Sequence, residues 1–300
     1  MTILEKERRK LIIPFLAPAV ILYLAFMIIP AIRAFTDSLY KWEGFNLPKK
    51  YIGIKNFTDL LRDSNYLMSV KTTLYIFLVG GIVIFGLVFL FTAILNGGIV
   101  KGKKIFRAII FFPNIVAAIA LTTFWAFIYN NRFGLLNEML RLFGLDSLIV
   151  PWTEPARVLN AVLVALIWIY VGYMLVILLA GADNISPEIY DAARVDGANI
   201  FQMFYHVTIP LMWDVIVVAI TLWMIIAIKQ FEFVYAFGGG TFVAREIWTV
   251  PLYLVVMGFG KRDPIYRLGY ASAIGVSLLL MVVVLAALLR FVFRRERVEM

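Results

Sequence analysis

The densest collection of chemically able side chains in this 300-residue chain lies in "PEIYDAARVDGANIFQMFYHVTIP", residues 187–210. It holds the carboxylates of Glu188, Asp191 and Asp196, the guanidinium of Arg194, the chain's one histidine, His206, and a central Gly197. Acid–base or nucleophilic catalysis needs a nucleophile and a base that converge, and no Ser/His/Asp or Lys/Tyr arrangement has a convincing spacing. Without cysteine there is no disulfide, thiolate nucleophile or Cys-ligated metal, and one histidine makes a poor metal site. "GGIVKGKK" supplies Gly97, Gly102 and Lys103 of a phosphate-cradling G-x-x-x-x-G-K-[ST] loop. Lys104, however, stands where a hydroxyl would hold magnesium, and the loop joins two apolar helices instead of following a strand. The chain is therefore expected to be no enzyme and to bind no metal or nucleotide cofactor of its own.

Local signals make the polar segment a helix-turn-helix. Ser186 can cap the first helix, Pro187 suits its first position, and Glu188 lies near the positive end of the helix dipole. The helix should run through Asp196 and stop at Gly197, a residue at ease in the left-handed conformation that ends helices. Asn199 can cap a second short helix, expected to end before Pro210 opens the next apolar segment. Ile189, Ala192, Ala193 and Asp196, spaced by three and four, form a shallow face edged by carboxylates, which another backbone could approach. Phe201, Phe204 and Tyr205 are too apolar for a freely solvated loop. Either the chain's own helix ends or a second protein must cover them.

Hydropathy sets the elements around this segment. With 63% hydrophobic and 16% charged residues and a mean hydropathy of +0.91, the chain is too apolar for a water-soluble domain. Stretches free of Asp, Glu, Lys and Arg cover 11–32, 72–100, 108–131, 158–182 and 268–289. Each can cross a hydrocarbon core of about 30 Å at about 1.5 Å per helical residue. A shorter sixth candidate lies between Asp214 and Lys229, whose charges would sit about 22 Å apart along a helix, near opposite interfaces. The expectation is an all-α membrane protein of six transmembrane helices, over about 11–33, 72–96, 107–130, 157–181, 210–236 and 268–290. One transmembrane domain then fills 1–300, with the loop 182–209 between the fourth and fifth spans. The basic runs "KERRK", "KGKK" and "RRER" place both termini in the cytoplasm. The net charge of +9 then answers anionic lipid headgroups and calls for no nucleic acid partner. The first apolar run exceeds the core of a cleavable signal and is expected to be a retained span of a cell-membrane protein.

Several positions inside the spans carry local expectations. Gly80, Gly81 and Gly86 permit close helix approach, and Ala271 with Gly275 makes a small-xxx-small pair suited to tight packing. Pro113 can bend the third span, and Asn114 needs a partner in an apolar setting. Tyr40, Trp42 and Tyr51 suit an interfacial belt, and "IGIKNFTDLLRDSNYL" a short surface helix. Lys229 and Glu232 suit an interfacial i,i+3 ion pair. Trp223, Ile226, Ala227 and Gln230 share one face of the fifth span, where an aromatic and an amide could meet the C–H faces and hydroxyls of a sugar. Contacts between helices would use the same residue types.

"YDAARVDGANIFQMFYHVTIP" resembles the inner-loop signature of binding-protein-dependent ABC transporter permeases, E-A-A, three residues, G, nine residues, I-x-L-P. Asp191 stands at the Glu position, Ala192 and Ala193 at the alanines, Gly197 at the glycine, and Val207-Thr208-Ile209-Pro210 at the end. "IGIKNFTDLL", "RAIIFFPNIV", "NNRFGLLN" and "LGYASAIG" extend the likeness over most of the chain, toward the sugar-type group of maltose and glycerol-phosphate permeases. Two positions depart from the pattern: Asp191 is one methylene shorter than Glu, and Asp214 stands where many relatives carry proline. The resemblance implies a coupling helix, with Asp191, Ala192, Ala193 and Gly197 docking onto a cytoplasmic ATPase that binds the ATP and magnesium. It also implies a substrate path that includes the fifth-span face and the loop residues Asn130 and Gly134. The implied partners are a second permease, two ATP-binding cassette subunits, an extracytoplasmic solute-binding protein, membrane lipid and a sugar. An ion-gradient-driven secondary transporter is the alternative, but it would place ionisable groups well inside its spans, where only the charges bordering the fifth are found.

Overall fold

The computed structural model describes residues 3–96, 102–239, 244–260 and 266–294. Gly97 and Lys101 of the "GGIVKGKK" loop, part of the glycine-rich connection at 240–243 and most of the terminal "RRER" run lie outside the described residues. In chain order the helices are α1 (Ile3–Tyr23), α2 (Ile29–Asp37), α3 (Lys55–Leu60), α4 (Ser64–Tyr75), α5 (Gly81–Asn96), α6 (Lys103–Ile115), α7 (Ala118–Ile128) and α8 (Leu135–Leu142). There follow α9 (Val158–Asp183), α10 (Pro187–Val195), α11 (Ile200–Met203), α12 (Ile209–Leu211), α13 (Trp213–Ile228), α14 (Glu232–Phe237), α15 (Val250–Phe259) and α16 (Leu268–Val292). Two short strands, β1 (Tyr40–Lys41) and β2 (Lys50–Tyr51), pair antiparallel with Tyr40 opposite Tyr51.

Four helical runs are long and apolar enough to cross a bilayer unbroken: Pro14–Asp37, Ser64–Asn96, Val158–Asp183 and Leu268–Val292. The other two expected spans are bent pairs, Lys103–Ile115 with Ala118–Ile128 at 99° and Ile200–Leu211 with Trp213–Ile228 at 79°. The third span is therefore not one helix over 107–130. Pro113 ends up buried within the last turn of α6, and the chain turns just beyond it, at Val116 and Ala117, which adopt extended backbone angles. The fifth span also begins differently from expectation. Pro210 lies inside the helical run 200–211, and the break falls at Met212. A wide π-type turn at Phe204–Thr208 precedes the proline, which relieves the clash that its ring makes with a regular preceding turn. Asp214 then occupies the first turn of α13, where a carboxylate is favoured by the helix dipole.

The chain divides into two compact units, Met1–Arg62 with Leu254–Ser277, and Asp63–Tyr253 with Leu278–Met300. In the first, α1 and α2 continue through a π-type turn at Leu24–Ile28, and the apolar stretch of this run buries none of its side chains. The strand pair is held by the buried amide of Asn56, which donates to the carbonyls of Ser38 (2.7 Å) and Tyr40 (3.0 Å). Gly269 brings the start of α16 against the same strands: its N–H donates to the Trp42 carbonyl at 3.2 Å, and a Cβ there would lie 2.0 Å from the Tyr40 oxygen. The small-residue pair packs as expected. Ala271 faces Gly258, and Gly275 faces Leu254, both on α15. The expected surface helix of 52–67 is divided, since α3 stops at Leu60 and Asp63 caps α4 by accepting from the N–H groups of Asn65 and Tyr66.

In the second unit, α9 is the central column, with both faces buried along most of its length. Lipid tails are as apolar as leucine, so exclusion of water contributes little between such helices, and close packing and hydrogen bonds carry the association. Glycine supplies the close packing. At Gly172 a Cβ would stand 2.0 Å from the Ile110 carbonyl oxygen of α6, and at Gly181 it would stand 2.9 Å from the Val215 side chain of α13. At the last residue of α9, Asp183 accepts from Lys103 (2.6 Å) and Arg107 (2.9 Å) of α6. A carboxylate at a helix C-terminus opposes the dipole, and the two cations offset that cost while fastening α6 to α9.

Candidate functional site

Two features of the second unit combine polar groups with accessibility. The first is the helical hairpin of α10 and α11. Pro187 opens α10 and Glu188 lies in its first turn, but Ser186 makes no side-chain cap bond, so the expected cap is absent. Gly197 has φ +78° and ends the helix in the left-handed conformation, with the Ala198 N–H donating back to the Ala193 carbonyl. Asn199 caps α11 in a reciprocal capping box with Gln202, each side chain accepting from the other's main-chain N–H.

The exposed stripe of α10 comprises Glu188, Asp191, Ala192 and Val195, spaced by three, four and seven as one helical face. It is rotated from the expected face, for Ile189 and Ala193 are half-buried. Asp191, Ala192 and Gly197 are exposed, and Asp191 accepts from Arg194 at 2.7 Å. The aromatics divide. Phe204 is buried against Phe89 of α5, their ring centroids 6.1 Å apart, whereas Phe201 and Tyr205 are 65% and 67% exposed and Val195 is 88% exposed. The hairpin thus exposes three large apolar side chains together with the small surface of Ala192 and Gly197.

The second feature is a cavity of about 680 Å³, within the roughly 300–1,000 Å³ of small-molecule sites. Two interruptions face each other across it: the α6–α7 break with Asn114, Val116, Ala117 and Ala118, and the α13–α14 break with Lys229, Gln230, Phe231 and Glu232. Leu166, Ile169 and Tyr170 of α9 form the wall between them. Irregular backbone is tolerated at membrane depth where it lines such a space, and broken helices there present free main-chain N–H and C=O groups to a solute. Ala117, the N-cap of α7, makes no side-chain cap bond, leaving the first N–H groups of that helix without a side-chain acceptor. Polar side chains complete the lining: the Asn114 and Gln230 amides, the Tyr170 hydroxyl at a long 3.5 Å from Gln230 Oε1, the Lys229 ammonium and the Glu232 carboxylate. The expected Lys229–Glu232 ion pair is not formed among the described residues. Helix α13 ends at Ile228 and Glu232 begins α14, so the two residues no longer share an i,i+3 register.

Of the fifth-span face, the structure places Ile226 and Gln230 on the cavity wall and Trp223 and Ala227 behind it, each 1% exposed. Asn130 and Gly134 form the loop after α7, away from the lining: Asn130 Oδ1 accepts from the N–H groups of Arg132 and Phe133. Gly134 is required because a Cβ would lie 2.2 Å from the Asn130 carbonyl oxygen. Asn114, Tyr170, Lys229 and Glu232 are lining groups that sequence reasoning did not select as site residues. The signal available for Asn114 was its place beside Pro113; Tyr170 on an apolar helix offered none.

A multi-pass membrane protein with a cavity at two helix breaks and an exposed helical hairpin belongs to the class of transport permeases. Residues 100–298 match the binding-protein-dependent transport system inner membrane components, and the chain belongs to that family. It is 31% identical, over 95% of its length and 96% of the relative's, to "Probable ABC transporter permease protein YurN" of Bacillus subtilis. It is 31% identical to the trehalose/maltose transport system permease protein MalF of Thermococcus litoralis, over 79% of this chain and 80% of that one. Identity to the lactose transport system permease protein LacF of Rhizobium radiobacter is 29%, over 94% and 93%. The fold matches a chain of the solved bacterial ABC transporter involved in import of the acidic polysaccharide alginate, with TM-score 0.77, 97% coverage of both chains and 23% identity.

Proposed function

We propose that this chain is the membrane-spanning subunit of an ATP-driven importer that moves a sugar or sugar-like solute inward by alternating access. Both termini and the 187–210 hairpin lie in the cytoplasm, where Asp191, Ala192, Ala193 and Gly197 dock onto an ATP-binding cassette subunit. ATP and magnesium bind in that partner. A second permease completes the pathway, a second cassette subunit the motor, and an extracytoplasmic solute-binding protein delivers the solute. The observation that carries the docking reading is the exposure of Val195, Phe201 and Tyr205 on the same short hairpin that exposes the small side chain of Ala192, a surface that a soluble partner can cover. The sugar reading is supported by the sugar permeases among the relatives and by a cavity lined with two amides, a phenol and one charge of each sign. Hydroxyl groups need donors and acceptors together, and amides supply both.

Reconstitution of the assembled complex in sealed vesicles tests the reading. Uptake is expected only with ATP on the cassette side and the binding protein on the other. Uptake driven by an ion gradient with no ATP would instead establish a secondary transporter.

A further inference from the structure

Among the described residues, the docking hairpin meets the membrane helices at one polar point. Helix α10 contains no fully buried residue, and its links to α9 and α11 are short non-helical stretches at 184–186 and 196–199. Its inward side carries Tyr190, whose hydroxyl accepts from the Asn96 amide at 2.7 Å and pairs with the Thr208 hydroxyl at 3.1 Å. Thr208 is 2% exposed, and its hydroxyl donates to the Met203 carbonyl at 3.4 Å. A phenol has one proton to give and lone pairs to receive with, and so has a threonine hydroxyl. One arrangement uses each proton once: Asn96 gives to Tyr190, Tyr190 to Thr208, Thr208 to the Met203 carbonyl. Such one-directional chains polarise and strengthen their own links.

The chain joins three elements, and among the described residues no other side-chain hydrogen bond of α10 reaches these elements. Asn96 is the last residue of α5, Tyr190 lies in the middle of α10, and Thr208 sits in the π-type turn that leads through Pro210 to α13 and the cavity. Phe204, its ring tilted 56° against that of Phe89, gives the same junction an apolar half. Resting on the docking reading, we propose that Tyr190 is the positioning residue that makes α10, α5 and the start of the fifth span move as one piece, so that displacement of the docked helix reaches the cavity. Without the hydroxyl chain, α10 would slide on its two non-helical links while the spans stayed behind.

The absence of cysteine makes the test direct. Spin labels on Asp196→Cys, at the end of α10, and Leu90→Cys, on α5, report their separation in the complete complex in lipid, nucleotide-free and after trapping with ATP, magnesium and vanadate. In the parent, one narrow distance population is expected in both states. In Tyr190→Phe, the trapped state is expected to show a distribution at least about twice as wide, with the ATPase still co-purifying at the parent level. Thr208→Val, which removes the second hydroxyl and leaves the phenol ring in place, should reproduce the widening, and it carries the test if Tyr190→Phe accumulates poorly. Parent-like narrow distributions in both variants would overturn the proposal. Loss of the ATPase from Tyr190→Phe alone would also overturn it, placing Tyr190 on the docking surface. An ATPase that fails to co-purify with the parent would refute the docking reading itself, a different result from either.

Discussion

Trp223 donates its indole N–H to the main-chain carbonyl of Phe77 at 2.9 Å, across the π-type turn at Ile76–Gly80. Its ring lies on the two glycines that close that turn: a Cβ at Gly81 would come 2.8 Å from the indole nitrogen, and one at Gly80 would come 3.0 Å from the ring edge. The residue that a sugar-facing helix stripe nominated is a strut between α13 and the second span. Trp223→Phe should lower unfolding stability by about 1 kcal/mol for the lost hydrogen bond, and Gly81→Ala by about 1–3 kcal/mol for overpacking. Thermal unfolding of the purified chain measures both. The solute concentration for half-maximal uptake should not move in Trp223→Phe; a large increase would return the residue to the substrate path.

Gly172 and Gly86 should respond in opposite ways to the same methyl group. At Gly172 the new carbon meets the α6 backbone at Ile110, whereas at Gly86 nothing lies within 4 Å. Gly172→Ala is expected to push α6 from α9 and cost about 3 kcal/mol or more, since main chain cannot step aside as a side chain can. Gly86→Ala should be neutral or stabilising by up to about 1 kcal/mol, the difference in helix propensity. Comparing the two by membrane accumulation and unfolding temperature checks the pair.

At Gly197 the constraint is the backbone angle rather than space, because φ is +78° and no atom lies within 4 Å of an added Cβ. Gly197→Val should cost about 1–2 kcal/mol locally and abolish ATPase association while membrane insertion persists. Asn tolerates the left-handed region, so Gly197→Asn should retain most of the association. Co-purification of the cassette subunit from both variants decides; equal retention would count against the docking geometry.

The cavity makes a kinetic prediction. Asn114→Leu and Gln230→Leu each remove an amide from the lining, and a lost hydrogen bond of about 0.5–1.5 kcal/mol corresponds to a roughly 2- to 12-fold higher solute concentration for half-maximal uptake. ATPase association should be unchanged. Asn130→Ala, outside the lining and bonded to its own loop, should leave uptake affinity unaltered and lower stability instead.

Much of this architecture is legible in one dimension because the bilayer imposes a length. Apolar runs of about 20 residues have few alternatives to helices, and the apolar parts of the helical runs Pro14–Asp37, Ser64–Asn96, Val158–Asp183 and Leu268–Val292 follow from that constraint, whereas the polar first turns at 64–71 do not. The hairpin was equally readable, since Pro187, Gly197 and Asn199 act through their own backbone positions. The breaks were less so. Pro113 announced an interruption, but its placement at Val116–Ala117 depends on how α6 and α7 pack, and the break at Met212 has no proline to mark it, since Pro210 lies inside the helix.

By itself the sequence determined that this is a multi-pass helical membrane protein with one polar helical hairpin, because hydropathy, turn residues and caps are local quantities. Only the tertiary structure decided which side chains meet. It turned Lys229 and Glu232 from an ion pair into two groups lining one cavity, set Trp223 behind the wall, and joined Asn96, Tyr190 and Thr208, residues up to 112 positions apart in sequence. The physical reason is that a helix end, unlike a helix, takes its geometry from the neighbours that satisfy its free backbone groups.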